Sequence, residues 1–166
     1  MDRELLLLGL LRQEDMHGYQ LHEFINQNMS SCVDLKKPTA YYLLEKMAGS
    51  GWINEIQEQE GNRPPRNVFQ LTNEGESTFQ RLLRENISTY HSTKFADDIG
   101  LAFLDALPPD EAQALLNVRR TTIVNDLAHA QAIPQHSGSS QLVIEHLIHH
   151  LQSELEWLDK VIAQVK

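Results

Sequence analysis

Cysteine is almost absent from this chain. Cys32 stands alone among 166 residues, which excludes an intrachain disulfide and fits a reducing, cytoplasmic setting. A second cysteine and a nearby cationic cluster in sequence are both lacking, so Cys32 reads as a plain thiol rather than a redox switch. Long apolar runs are missing too: nothing approaches the roughly 20 residues of a membrane span. Leu5 to Leu11 is apolar, but it is short, follows Asp2, Arg3 and Glu4, and lacks a small-residue cleavage site. Neither a membrane anchor nor a signal peptide is expected. No glycine-rich phosphate loop appears, and the serines, Ser30 and Ser31 included, have no placed His-Asp pair. Catalysis therefore has no support, and no cofactor or resident metal is expected.

Positive charge is also scarce. Lys and Arg number 14 against 23 Asp and Glu, a formal charge of −9. The deficit is uneven, −3 over residues 1–94 and −6 over 95–166. Most of the net negative charge thus lies outside residues 1–94, the part that holds Lys36, Lys37, Lys46, Arg63 and Arg66. Hydrophobic content of 41% suffices for a packed core in one domain or two small ones.

The pattern that is present runs as follows. A leucine-rich helix is expected from about Asp2, its N-cap, to Arg12, buried on more than one side. A second helix is expected from near His17 to near Gln27, with Tyr19 on the side away from Leu21, Phe24 and Ile25. A polar loop, Asn28 to Asp34, leads to a third helix opened by Pro38, which suits a first turn because it lacks the N–H that would go unpaired. Ala40, Leu43, Leu44 and Met47 form its apolar stripe. Tyr42, Glu45 and Lys46 point the other way, with Thr39 and Tyr41 on the flanks. Gly49 and Gly51 end it. Trp52 to Gln57 and Asn67 to Leu71 read as strands, with Trp52 in the core. The intervening segment carries Gly61, Pro64 and Pro65, a turn by composition. Thr72 caps a following helix that runs to about Tyr90, with Glu74 and Glu76 near its positive end.

Two short helices followed by two strands around an arginine-bearing turn make a winged helix-turn-helix, a DNA reader that presents one helix and one hairpin tip to the duplex. The remainder is helical by pattern. Phe95, Ile99 and Phe103 repeat at four until Pro108-Pro109. Asp110-Glu111 then opens a helix carrying Ala112, Leu115, Leu116, Ile123 and Leu127. The last helix places Val143, Leu147, Leu151, Leu155, Leu158 and Ile162 on one seam, with Trp157 beside it. A few helices of this size cannot bury such faces alone, so a homodimer packed like a coiled coil is expected through these residues. The fold class is accordingly mainly α: a winged helix-turn-helix with a two-stranded wing over 1–91, then an all-α dimerisation region over 92–166.

Each residue singled out has two readings. Lys36, Lys37, Lys46, Arg63 and Arg66 are phosphate contacts or ordinary solvated charges. Thr39 and Tyr42 contact bases or backbone, or are merely surface. Tyr41 packs on the second helix or meets DNA, and Tyr19 gives its hydroxyl to a phosphate or lies exposed. His146, His150 and Glu154 fall at four-residue spacing, a geometry able to hold a metal, but no further ligand is set by spacing and a polar flank is the simpler account. An acidic winged-helix module that binds protein rather than DNA is the competing function class. The lysines before the third helix and the arginines of the turn favour DNA.

The segment from Leu6 to Gly75 closely resembles the PadR family of winged-helix transcriptional regulators. The likeness rests on Leu8-Gly9-Leu10-Leu11, Met16-His17-Gly18-Tyr19, the Tyr41 and Leu44 pair, Gly51-Trp52-Ile53, Arg63-Pro64-Pro65-Arg66 and Leu71-Thr72-Asn73-Glu74-Gly75. Residues Phe95 to Val165 look like the longer helical dimerisation region of one PadR subgroup, through Leu107-Pro108-Pro109-Asp110-Glu111 and the span from Leu151 to Leu158. The resemblance implies a homodimer on double-stranded DNA, acting mostly as a repressor on a palindromic operator, with some members responsive to aromatic acids or hydrophobic drugs. If such an effector binds, the junction of the two regions near Tyr90, Phe95, Ile99 and Phe103 is the expected place, and packing of that junction alone is the simpler account of these residues. Two departures matter. Lys36-Lys37-Pro38 stands where the family usually has Ser-Pro-Gly, and Tyr42 where it often has Pro. Both touch the DNA-facing end, so an operator sequence does not carry over.

Overall fold

In a computed structural model the chain is described at residues 2–28, 33, 35–59, 66–90, 92–95 and 98–165. It divides into two compact units, Met1–Ser92 and Thr93–Lys166. Cys32, Arg63, Pro64 and Pro65 lie outside the described residues.

The first unit runs α1 (Asp2–Leu11), β1 (Met16–His17), α2 (Gly18–Asn28), α3 (Lys37–Gly49), β2 (Ile53–Glu58), β3 (Arg66–Leu71) and α4 (Asn73–Ser88). The expected two-stranded wing gains a third strand. Its order is β1-β3-β2, both pairings antiparallel. Met16 pairs with Phe69 and His17 with Val68, so the segment expected to begin the second helix is instead extended, and α2 starts at Gly18. A two-residue strand has no legible period, and only the tertiary pairing reveals it.

Burial explains the rest. Leu7, Leu8, Leu21, Ile25, Leu44, Met47 and Ile53 are buried almost completely and form one core with Ala40, Leu43 and Phe69. The stripe on α3 is thus the core face, as its spacing requires. Leu21 and Ile25 carry the buried face of α2, while Phe24 is exposed. Gly51 turns the chain from α3 into β2 at φ 74°, a left-handed conformation that glycine adopts without penalty. Thr72 caps α4: its hydroxyl oxygen accepts the Gly75 N–H at 3.0 Å. Gly75 is there for space, since a β-carbon on it would stand 2.0 Å from the Trp52 carbonyl oxygen. Arg12, just past α1, donates through Nε to both carboxylate oxygens of Glu76, at 3.0 and 2.8 Å, and its guanidinium lies 5.5 Å from the Phe79 ring centroid.

The second unit holds α5 (Asp98–Leu101), a 3-10 turn (Leu104–Ala106), α6 (Pro109–Gln131) and α7 (Ser139–Gln164). The expected helix through Phe95, Ile99 and Phe103 is not formed. The chain makes one turn at α5 and another at 104–106, and all three residues are exposed. The four-residue repeat misleads because Leu101 and Leu104, out of phase with it, are the ones that pack on the core. That core is small. Leu116, Ile123 and Leu158 are buried in it, with Leu151, Leu155 and Ile162 packed around them. Leu158 is covered fully by its own chain, which corrects the expectation of a seam left bare from 143 to 162. Two ion pairs tie α6 to α7: Arg119 Nη2 to Glu154 Oε1 at 2.6 Å and Arg120 Nε to Asp159 Oδ1 at 2.6 Å.

Candidate DNA-binding surface

The surface begins with an anomaly at the head of α3. Its N-cap is Lys36, in extended conformation, with no side-chain hydrogen bond to the free amides behind it. A Ser, Asp or Asn there contributes on the order of 1 kcal/mol. The first helical residue is a second lysine, placed at the positive end of the helix dipole where an acid would be favoured. Two local rules are broken at one point, and an anion bound there would relieve both.

Around the helix the placements differ. Tyr42 is 64% exposed, and Lys36, Lys37 and Pro38 are exposed beside it. Thr39 is half-buried on the flank. Tyr41 turns inward: a β-carbon at Gly18 would stand 2.9 Å from its ring and 3.3 Å from the Phe69 ring. Of its two readings, packing against the start of α2 is the observed one. Lys46 Nζ lies 3.3 Å from Glu4 Oε1, so α1 gives it an ion-pair partner, while its side chain stays 51% exposed. The two residues sit one above the other on neighbouring helices, a relation that sequence spacing does not reveal.

Arg66 opens β3, paired with Glu58 across the hairpin. Its guanidinium lies 5.7 Å from the centroid of the Tyr19 ring, within range of a cation–π attraction. Tyr19 in turn stacks on His17, with ring centroids 5.6 Å apart and planes 12° from parallel. His17 Nδ1 lies 3.3 Å from the Asn67 carbonyl oxygen, and Asn67 donates its side-chain amide to Glu55. The backbone N–H of His17 donates to Gln20 at 2.9 Å. The root of the wing is therefore a stack of His17, Tyr19 and Arg66 fastened across β1 and β3. His17 and Asn67 were missed as contributors. The signal for His17 was its place two residues before Tyr19, which becomes a stacking distance only once β1 is recognised.

The structure thus brings Arg66 to Tyr19 and packs Tyr41 against Gly18, and keeps Lys36, Lys37, Thr39 and Tyr42 at the N-terminal end of α3. Among the described residues no three His, Cys, Asp or Glu are arranged to hold a metal. Glu154, the third of the spaced trio with His146 and His150, is occupied by Arg119. No helix of the described residues is long and apolar enough to cross a membrane.

Residues 7–81 match the transcriptional regulator PadR-like family. Over this segment the chain is similar to that family. Residues 99–166 of this PadR-like chain match a second model, virulence activator alpha C-term. None of the curated proteins matches it. Among solved structures, Bacillus subtilis PadR in complex with operator DNA aligns over 98% of this chain and 98% of its own, at TM-score 0.86 and 19% identity. The same protein in complex with p-coumaric acid aligns over 98% and 94%, at TM-score 0.79 and 19% identity. The PadR-like regulator BC1756 from Bacillus cereus aligns over 98% and 97%, at TM-score 0.75 and 15% identity. These likenesses establish a shared fold: a winged helix followed by C-terminal helices. The PadR-like family is one of transcriptional regulators, not of enzymes.

Proposed function

We propose that this PadR-like chain is a sequence-specific, cytoplasmic DNA-binding regulator that acts as a homodimer, represses from a palindromic operator and is released by a small aromatic or hydrophobic effector. The observation that carries the DNA reading is the uncapped, doubly basic start of α3, with Arg66 held at the wing root by Tyr19. A duplex phosphate supplies the missing anion at the helix end, and Lys36, Lys37 and Arg66 then position the protein while Thr39 and Tyr42 read base edges. Arg63, outside the described residues, extends the wing contact. Lys46 contributes little to this surface while it is tied to Glu4.

The homodimer reading rests on apolar groups that the second unit leaves open. Leu115 and Val118 on α6, and Leu142, Val143 and Trp157 on α7, are exposed. A second copy covers such a face by the same patch on both sides. Val143, Leu147 and Trp157 are then the dimer contacts. Leu151, Leu155, Leu158 and Ile162, which pack within the chain, support the helix from behind. Solved PadR structures with operator DNA and with p-coumaric acid support the operator and effector parts of the reading by analogy.

A gel-shift with the DNA flanking the protein's own gene tests it. Specific binding whose affinity falls steeply with salt is expected. Failure to bind any duplex at low salt, with the fold intact, would transfer the function to a protein-interaction module.

A further inference from the structure

The second unit contains a cavity of about 540 Å³ between α6, α7 and the segment that precedes them, inside the roughly 300–1,000 Å³ range of small-molecule sites. Its apolar wall is Ile123 and Leu151, with the exposed ring of Phe95 at the mouth. The charges lining it are not balanced. Arg119 and Glu154 neutralise one another at 2.6 Å, both only about a quarter exposed. Asp98 and Asp126 also line the cavity, one on each of α5 and α6, and neither side chain has an ion-pair or hydrogen-bond partner among the described residues. Lys94, exposed, is the remaining lining side chain of fixed positive charge, and His150 lines the cavity as well.

We propose that this cavity binds a small aromatic cation, an amine on a planar apolar body. The ring occupies the space between Ile123, Leu151 and Phe95, and the ammonium meets the unpaired carboxylates of Asp126 and Asp98. Phe95 offers an aromatic face to the same cation. An aromatic acid of the same size fares worse. The arginine that would clamp its carboxylate is already committed to Glu154, and its charge would face two carboxylates. The formal charge of −6 over residues 95–166 works in the same direction, raising the local concentration of cations and repelling anions. This deepens the effector-responsive reading above and rests on it for the consequence at DNA, while the binding itself stands on the cavity alone. Of the residues expected near an effector, Phe95 lines the cavity, and Tyr90, Ile99 and Phe103 do not.

Calorimetry on the full chain at low salt, with tryptamine and indole-3-propionate as probes, tests the inference. The two share an aromatic body and differ in the sign of charge. Tryptamine is expected to bind about tenfold more tightly or better, and Asp126→Asn to weaken it by about tenfold, as the loss of one partner from a close charge pair does. Asp126→Lys is expected to reverse the order of the two probes. Unchanged circular dichroism in both variants keeps the comparison one of binding. The inference is overturned if neither probe binds, if indole-3-propionate binds as tightly as tryptamine, or if Asp126→Asn leaves tryptamine unaffected. Operator release is measured on the same samples: binding without release supports the site and removes its effector role, so the two readings fail separately.

Discussion

The two units solve burial in opposite ways. The first closes its core within 92 residues: four helices and a three-stranded sheet surround seven large side chains with almost no access to water. In the second, Leu158 alone among the large side chains reaches that degree of burial, and Leu115, Val118, Leu142 and Val143 face outward on its two long helices. Helical content is not what differs, since the second unit is the more helical of the two. The difference lies in how many directions an apolar residue is covered from. A sheet hairpin and crossing helices enclose a residue on every side. Two helices lying together cover only their facing stripes, and the rest needs a further layer.

The largest test of this contrast is a matched pair of truncations. Leu44→Ala, in the closed core, is expected to lower stability by about 2–5 kcal/mol, as large-to-small core changes do. Leu115→Ala, on the open face, is expected to change the stability of the isolated protomer by less than about 0.5 kcal/mol. Urea denaturation at low protein concentration compares them, and equal losses would erase the distinction drawn between the units.

Next in size is association. Trp157→Ala is expected to cost the homodimer about 2 kcal/mol, the scale of an aromatic anchor at an interface, which sedimentation or light scattering reads as a dissociation constant raised about thirtyfold. A full chain that is monomeric at micromolar concentration, before any substitution, would mean that another partner covers the open face.

Smaller effects separate the reader from its acidic companion. Lys37→Ala and Arg66→Ala are each expected to reduce the slope of log affinity against log salt by about 0.9, one phosphate apiece. Lys46→Ala is expected to leave the slope alone because Glu4 already holds that side chain. A drop with Lys46→Ala as large as with Lys37→Ala would return Lys46 to the DNA side.

The smallest effect concerns acid. The carboxyl of Glu76 is held below its ordinary value of 4.5 by the hydrogen bond from Gln80 first and by Arg12 second. A depressed carboxyl contributes stability that is present above the unfolded value and is lost as pH falls through the folded one. Arg12→Ala removes part of that contribution. The stability gap between native and variant is therefore expected to be widest above about pH 5 and to shrink as pH drops below 4. A residual gap at low pH reports the contact between Arg12 and the Phe79 ring, which does not titrate.

The sequence was legible where one period governed a whole element and one face was buried. The α3 stripe, the Thr72 cap and the strands near 53 and 66 follow from spacing and from residues with a single steric role. Legibility failed where a neighbour distant in sequence decided the outcome. Strand β1 is two residues long and exists because β3 lies beside it. Lys46 looked outward until α1 placed Glu4 across from it. Phe95, Ile99 and Phe103 repeat at helical spacing, yet Leu101 and Leu104 won the core because the chain turns before the repeat can act. The candidate site divides along the same line. The lysines at the head of α3 are placed by Pro38, which marks the helix start in the sequence, whereas the stack of His17, Tyr19 and Arg66 needed the fold.

The alternation along α3 has an evolutionary consequence. Ala40, Leu43, Leu44 and Met47 fix the helix from beneath, while Tyr42 stands in solvent and Thr39 lies on the rim. On the proposed DNA reading, positions that choose a base sequence are thereby separated, residue by residue, from positions that hold the fold. Substitutions at 39 and 42 would then sample new operators at little cost in foldability, so a duplicated copy of this gene could drift toward a different promoter without first losing its shape.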